Sequence, residues 1–406
     1  VLDDYVNRII TGDCCEVMRQ LPDNSIDLVV TSPPYWALRD YGEETARVWG
    51  GEPECEHDFE LRKVPSRGNR DISFNERWGN SPGQRKVEKK NKIDASVGFC
   101  SKCGAWKGQL GLEPHPEMYI QHLTEICREI KRILKPSGSF WLNLGDTYFG
   151  GGGTYGKPKD WKDLHTNQNY PDGSFFKNRN KLRSNWLQPK QLLGIPWRVA
   201  IALQEDGWIL RNCLVWYKPN HLPESVKDRL TKSYEFFFFF VKKRKYFFDL
   251  DAIRVPYKQS TLKRERYGYK TAMRGRYMGP WEKRDRVKDQ EFLNPLGKNP
   301  GDVWAIPVQP FHDAHFAVFP PQLIEPIIKA GCPVGGIVLD PFAGTGTTLR
   351  VARGLGRHFI GIELNPKYVK MAHARVKASK YVNRPDGVAS LTEILNGEGA
   401  ESSKKP

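Results

Sequence analysis

An α/β fold with a mostly parallel sheet is predicted by three stretches of the 406-residue chain. The first is Asp27-Leu28-Val29-Val30-Thr31, a short apolar run of buried-strand type that ends in Ser32-Pro33-Pro34-Tyr35. The second is residues 116–134, where Tyr119, Leu123, Ile126, Ile130 and Ile133 share one helical stripe. The third reads strand (337–339), loop with Gly344 and Gly346, helix (349–355), strand (358–362) and Glu363. That succession is the mononucleotide-binding unit of open α/β sheets, which take their ligands at the carboxyl ends of the strands.

Taken in order, residues 8–11 read as a strand closing on Gly12-Asp13, and 14–21 as a short helix for which Asp13 is a natural N-cap. A turn at residues 22–25 leads into the strand before Ser32. Two prolines stop that strand because neither can donate to a ladder and each forces its predecessor out of helical geometry. After Trp36, whose simplest role is core packing, periodicity is lost until about residue 116. Pro136-Ser-Gly is expected to end the long helix before a strand at 139–144. A glycine run at 150–153 then leads into a basic loop. Residues 196–204 form a helix begun by proline, 209–217 and 234–241 form strands, and 245–248 an edge piece. Residues 320–329 are helical with Gly331 as the cap. The small, polar residues after Asp386 are expected to be a disordered tail, 386–406.

The chain carries a formal charge of +16, unevenly spread. Residues 62–92 hold ten Lys/Arg against three acids, 157–190 eight against three, and 258–288 eleven against three. The remainder is therefore slightly acidic, and the basicity sits in three loop-like segments interleaved with Trp78, Trp161, Tyr267, Tyr269, Tyr277 and Trp281. Such a pattern favours a polyanion partner, nucleic acid foremost. No apolar run approaches membrane-span length, and no signal pattern opens the sequence, so a cytoplasmic protein without membrane contact is expected.

Eight cysteines in that setting suggest thiols or a metal, not disulfides. Cys55-x-His57 and Cys100-x-x-Cys103 together offer four N/S donors for a tetrahedral structural Zn2+, with Gly104 allowing the tight knuckle turn. Unpaired thiols are the alternative, and His115 a weaker substitute ligand. The basic linker between the pairs is too poor in apolar residues to pack, so metal is expected to hold the ends of this insertion together.

In the 337–363 unit, Gly344 and Gly346 let backbone approach a ligand, and Glu363 lies where a second-strand acid can accept from ribose hydroxyls. The third glycine of the dinucleotide fingerprint is missing, and no Gly-Lys-Ser/Thr follows, so a ligand with a ribose but no phosphate fits best. S-adenosylmethionine is the commonest of that kind.

Thr31-Ser-Pro-Pro-Tyr35 together with Asp340-Pro-Phe-Ala-Gly-Thr-Gly-Thr-Thr348 resembles the motif pair of the DNA amino-methyltransferases. The catalytic motif precedes the cofactor motif, as in the circularly permuted β group of that family. Cys213-Leu-Val-Trp-Tyr-Lys-Pro-Asn220 resembles its late catalytic-half strand, and residues 315–323 resemble the lead-in that closes over the methionine end of the cofactor. The likeness spans about residues 5–385, with 50–107 and 150–190 as departures. It implies a Rossmann-like S-adenosylmethionine-dependent methyltransferase fold, circularly permuted, with a mostly parallel sheet and an inserted target-recognition region; the inserted zinc-knuckle region is expected from its own Cys and His residues. The expected organisation is a catalytic half starting at 1–49, a zinc-binding insertion at 50–107, and the rest of that half at 108–253. A target-recognition region at 254–312 and a cofactor half at 313–385 complete it.

The resemblance also implies residue roles. Asp13 would accept from the cofactor's adenine amino group, and Glu363 would hold its ribose. Asp340, Phe342, Gly344, Gly346 and Thr347 would lie about its methionine part. Ser32, Pro33, Pro34 and Tyr35 would take the target base. The basic composition of 258–288, independently of the resemblance, makes Arg264, Arg266, Arg274 and Arg276 the expected DNA contacts.

These residues suit amine methylation. The exocyclic amine is a poor nucleophile because its lone pair is delocalised into the ring. Acceptors such as the Ser32 hydroxyl and the Pro33 carbonyl can draw it toward tetrahedral geometry. A carbon-5 methyltransferase needs a cysteine nucleophile, usually after proline, and no Pro-Cys dipeptide occurs; Cys14, Cys15, Cys127, Cys213 and Cys332 read as buried small residues. A base in a duplex must be flipped out, and Tyr35 would stack on it, worth about 1–3 kcal/mol.

The expected function is therefore site-specific methylation of cytosine N4 in double-stranded DNA, within restriction–modification. A cognate restriction endonuclease and a monomer or homodimer are the expected assembly. Ser before Pro-Pro-Tyr is typical of cytosine-N4 enzymes and Asp of adenine-N6 enzymes; Ser32 could also donate to cytosine's ring N3. Adenine-N6 methylation, RNA methylation and a non-catalytic DNA-binding module are the alternatives.

Overall fold

Ile26–Thr31 forms strand β2 with all six residues buried, as a strand covered on both faces requires. The structure is a computed structural model, and it describes residues 2–38, 41–65, 94–149, 187–188, 190–266, 293–309 and 319–378. Around β2 lie β1 (Arg8–Thr11), β7 (Leu134–Leu144), β8 (Ile209–Tyr217), β9 (Tyr234–Val241), β10 (Val303–Ala305), β11 (Ile337–Asp340) and β12 (His358–Glu363). Their order is β1-β12-β11-β2-β7-β9-β8-β10. All pairings are parallel except the two made by β9, which alone runs in reverse.

Helices α1 (Cys14–Gln20), α2 (Pro116–Ile133) and α3 (Ile195–Glu205) bury Met18, Leu123, Ile126 and Val199 in one apolar layer. Helices α5 (Pro321–Gly331), α6 (Thr347–Gly354) and α7 (Pro366–Lys377) bury Leu323, Ile327, Leu349 and Val369 in the other. A three-layer sandwich results. The phenylalanine run in β9 follows from it: Phe238 and Phe240 join the first layer, and Phe237 and Phe239 the second. Helix α4 (Gln259–Arg266) stands apart in sequence from both sets. No described helix is long and apolar enough to cross a membrane.

The structure corrects several local expectations. Residues 47–108 carry a second, antiparallel sheet, in the order β3 (Arg47–Trp49), β6 (Trp106–Gly108), β5 (Asp94–Cys100), β4 (Phe59–Pro65). Trp49 and Trp106 are buried in the main core, so packing as well as any metal holds the ends of the insertion. Pro136-Ser-Gly does not form a turn; it lies inside β7, which begins directly after α2. Residues 245–248 form no strand. Gly331 is the last residue of α5, not a left-handed cap. It packs where a Cβ would come 3.0 Å from Leu28 and Ser139. Strand β10 arises within the segment expected to be recognition loop, pairing Trp304 with Trp216. The tail 386–406 and most of the three basic segments lie outside the described residues.

Candidate active site

Because β1, β12, β11, β2 and β7 are parallel, their carboxyl ends share one edge of the sheet. Ser32-Pro33-Pro34-Tyr35 leaves β2 there, and Asp340 ends the adjacent β11. The two motifs are directly joined: the Thr31 hydroxyl donates to Asp340 Oδ1 at 2.6 Å, and the Thr348 hydroxyl donates to Oδ2 at 2.7 Å. The Phe342 amide also donates to Oδ1. Asp340 is 2% exposed, and burial pushes its carboxyl up to about 6 against these bonds. Its oxygens, with the Ala343 amide on Ile362 O and the Gly346 amide on Ala343 O, shape the loop.

Gly344 and Gly346 both take positive φ, +51° and +76°. Gly346 caps α6, and a Cβ there would come 3.0 Å from Ala372 on α7, so its freedom serves helix packing as well as the loop turn. Glu363 Oε2 accepts from the Gly344 amide and Oε1 from the Asn365 amide, each at 2.8 Å. One acceptor site per oxygen is thereby spent, and capacity remains for a pair of hydroxyls. Burial raises its carboxyl above the usual range. Phe342 is partly buried, and Thr347 lies against Arg375 at 3.4 Å.

Asp13 realises its local role first. Its Oδ1 accepts from the Cys15 and Glu16 amides, capping α1, and Oδ2 is paired with Arg47 at the start of β3. Arg47 also lies over the Trp49 ring at 4.2 Å. Asn365 Nδ2 donates to Tyr41 O and Glu44 Oε1, so the stretch leading into the insertion covers the end of β12.

The target-base half is a polar cluster. Ser32 Oγ lies 3.1 Å from Tyr35 Oη and 3.2 Å from Asn143 Oδ1. Tyr35 Oη lies 2.8 Å from Asn143 Oδ1 and 3.0 Å from Glu235 Oε2. Glu235 is paired in turn with Lys218, which sits over the Trp216 ring at 4.2 Å. Burial, then the Glu235 charge, hold the Tyr35 phenol well above its ordinary value. Gly145 makes room for the Tyr35 ring, since a Cβ would come 2.7 Å from Cε2. Tyr119 donates to Pro34 O at 2.9 Å, fixing the turn. Trp36 is buried and donates to Glu113 O, which makes it core.

Asn143, Glu235, Lys218 and Arg47 escape the sequence reading. A signal existed for Glu235: it is an acid abutting a six-residue apolar run. Lys218 lies within the Cys213–Asn220 stretch that carries the family resemblance, without a role of its own there; Asn143 and Arg47 have no such signal.

In the insertion, Cys55, His57, Cys100 and Cys103 converge, their donor atoms all within 4.8 Å of one another. Cys55 Sγ to Cys100 Sγ is 4.0 Å, and Cys103 Sγ to His57 Nδ1 is 3.3 Å. A tetrahedral zinc with ordinary Zn–S and Zn–N bonds has edges of about 3.5–3.8 Å, so the donor set fits one. Cys14, Cys15, Cys127 and Cys332 are buried, as expected, and Cys213 is partly so. Arg264 and Arg266 close α4; Arg274 and Arg276 lie outside the described residues.

The DNA methylase family profile matches residues 26–374. Type II methyltransferase M.XycI of Xanthomonas campestris pv. cyanopsidis is 34% identical over 371 residues, covering 91% of this chain and 88% of its own. Type II methyltransferase M.SmaI of Serratia marcescens is 32% identical over 373 residues, covering 91% and 90%. Among solved structures, the PvuII DNA methyltransferase (cytosine-N4-specific) superposes with a TM-score of 0.50 at 17% identity, covering 96% of this chain and 92% of that one. At that identity the likeness is one of fold.

Proposed function

The chain belongs to the DNA methylase family, as an amino-methyltransferase of the restriction–modification type, and we propose that it methylates cytosine N4 in double-stranded DNA using S-adenosylmethionine. The observation that supports this reading is one shared sheet edge. Ser32-Pro33-Pro34-Tyr35 and the glycine loop with Glu363 open on the same sheet edge, bonded to each other through Thr31 and Asp340. The order of these motifs along the chain fits the circularly permuted β group of that family.

Bound there, S-adenosylmethionine supplies a methyl group activated by its positive sulfur. Glu363, with acceptor capacity to spare, holds ribose hydroxyls, and the 342–347 backbone lines the methionine end. Asp13, fixed by its own cap and by Arg47, marks the adenine end. Ser32 Oγ and the Pro33 carbonyl accept from the target amine, localising its lone pair on nitrogen. Tyr35, whose ring has room only because residue 145 is glycine, receives the flipped base. The part of 254–312 that precedes β10 forms the target reader, with Arg264, Arg266, Arg274 and Arg276 on phosphate or base edges, and a restriction endonuclease shares the site. The Cys55/His57/Cys100/Cys103 cluster takes a structural zinc that staples the insertion sheet.

The choice of cytosine rests on Ser32 in the first motif position. Nucleoside mass spectrometry on DNA methylated in vitro tests it, with Ser32→Ala and Tyr35→Ala as inactive controls. N4-methylcytosine is the expected product. N6-methyladenine would overturn the base assignment alone, and an absence of any DNA methylation would overturn the function.

A further inference from the structure

Ser32 and Tyr35 bring two hydroxyl protons to a cluster whose other members, Asn143 Oδ1 and Glu235 Oε2, are acceptors. The orientation of Asn143 is fixed, because its Nδ2 donates to Phe236 O at 3.0 Å and so turns Oδ1 toward both hydroxyls. Asn143 is 1% exposed, and a flipped amide would set its oxygen against the Phe236 carbonyl, acceptor against acceptor. Glu235 carries its charge against Lys218 on Oε1, which leaves Oε2 for Tyr35. A carboxylate is the stronger acceptor, so the Tyr35 proton points to Glu235 or to the nearer Asn143, not to Ser32. Asn143 Oδ1 and Tyr35 Oη then both lie within reach of the Ser32 proton, at 3.2 and 3.1 Å from Oγ, and with the proton placed there it points inward as well. What remains outward on Ser32 is lone pair.

We propose that Asn143 and Glu235 are positioning residues that commit both hydroxyl protons inward and so leave the Ser32 oxygen an obligate acceptor for the target amine. The proposal rests on the methyltransferase reading above and adds to it the reason a serine can do this work. A free hydroxyl could donate or accept, and a donor aimed at the amine would withdraw the lone pair that must attack. Fixing the polarity in the resting protein removes that choice before substrate arrives. It also removes the possibility of Ser32 donating to cytosine N3, so Ser32 selects an amine and leaves the ring to be recognised by other groups.

Two variants test this. Glu235→Gln keeps the shape; Lys218 then attracts the amide oxygen, which turns the amide N–H toward Tyr35, sends the Tyr35 proton to Asn143 Oδ1 and so sets it in competition with the Ser32 proton for that acceptor. Asn143→Leu removes the fixed acceptor. Methyl transfer from labelled S-adenosylmethionine to plasmid DNA from a methylation-free host is followed, with kcat and KM separated and folding checked by thermal melting. Expected are losses in kcat of about 10-fold for Glu235→Gln and about 100-fold for Asn143→Leu, with KM for S-adenosylmethionine within about twofold. In a Ser32→Ala background, Asn143→Leu should cost less than about threefold more, since its route to the amine is already gone. Unchanged kcat in Glu235→Gln, a loss confined to KM, or full additivity with Ser32→Ala would overturn the proposal. Should Asn143→Leu not fold, the isosteric Glu235→Gln decides alone. Wild-type protein that leaves DNA unmethylated would instead remove the methyltransferase reading, and this one with it.

Discussion

The Thr31 hydroxyl donates to Asp340 across 309 residues of sequence, at 2.6 Å, and both residues are buried. Thr31 is the last residue of β2 and Asp340 the last of β11, which lie side by side in the sheet. One hydrogen bond therefore ties the start of the target-base turn to the start of the glycine loop. The carboxylate it serves is also clamped by Thr348, so both loops are referenced to one buried group.

That group should leave a mark on pH-dependent stability. Asp340 sits at about 6 against an ordinary 3.8 because it is buried. An acid raised in this way holds its proton more tightly when folded, so its contribution to stability falls as pH rises from about 4 to about 6 and is flat above. The loss is roughly 3 kcal/mol. Denaturant unfolding of the wild type and of Asp340→Asn should show the wild type losing ground to the variant across that window. Parallel pH curves for the two proteins would contradict the assignment.

Cofactor affinity should depend on Glu363 more cleanly than on Asp13. Glu363→Ala leaves ligand donors unpaired and should weaken S-adenosylmethionine binding by roughly 1–3 kcal/mol in a calorimetric titration. Asp13→Ala should also lose about 1 kcal/mol of stability, because Asp13 caps α1. Asp13→Asn, which can still cap, separates the two effects. Binding unchanged in both alanine variants would place the cofactor elsewhere.

Metal is expected at about one zinc per chain by elemental analysis. Cys100→Ser should lower that content and loosen residues 50–107 to proteolysis. Because Trp49 and Trp106 also anchor the insertion in the core, the loss should be partial, with the main sheet still folding cooperatively. Metal-free protein of normal stability would end the zinc assignment.

DNA binding should respond to charge removal at Arg264, Arg266, Arg274 and Arg276. Neutralising all four should weaken binding and flatten its salt dependence while S-adenosylmethionine affinity holds. If the segment reads the site, sequence preference should relax too. Affinity indifferent to all four changes would move the interface to 62–92 or 157–190.

The sequence by itself determined most of the sheet, both motifs and the four-donor cluster, because each is carried by local chemistry. Apolar runs ended by prolines, a helical stripe, a glycine loop at fixed spacing and paired Cys/His residues are legible wherever they sit. The antiparallel sheet of the insertion was not legible: β3 and β6 have three residues each, β4 and β5 are parted by a basic, polar stretch, and the anchors Trp49 and Trp106 gain meaning only against the core. Tertiary structure alone decided the proton arrangement at Ser32. Asn143 reaches Ser32 from the neighbouring strand β7, and Glu235 joins through the reversed strand β9, whose amino end meets the carboxyl ends of the others. Asp13, legible as a cap, turned out to be paired with Arg47 as well. Hydrogen-bond polarity depends on which donors and acceptors lie within about 3 Å, and that proximity is set by strand order, which no single stretch of sequence contains.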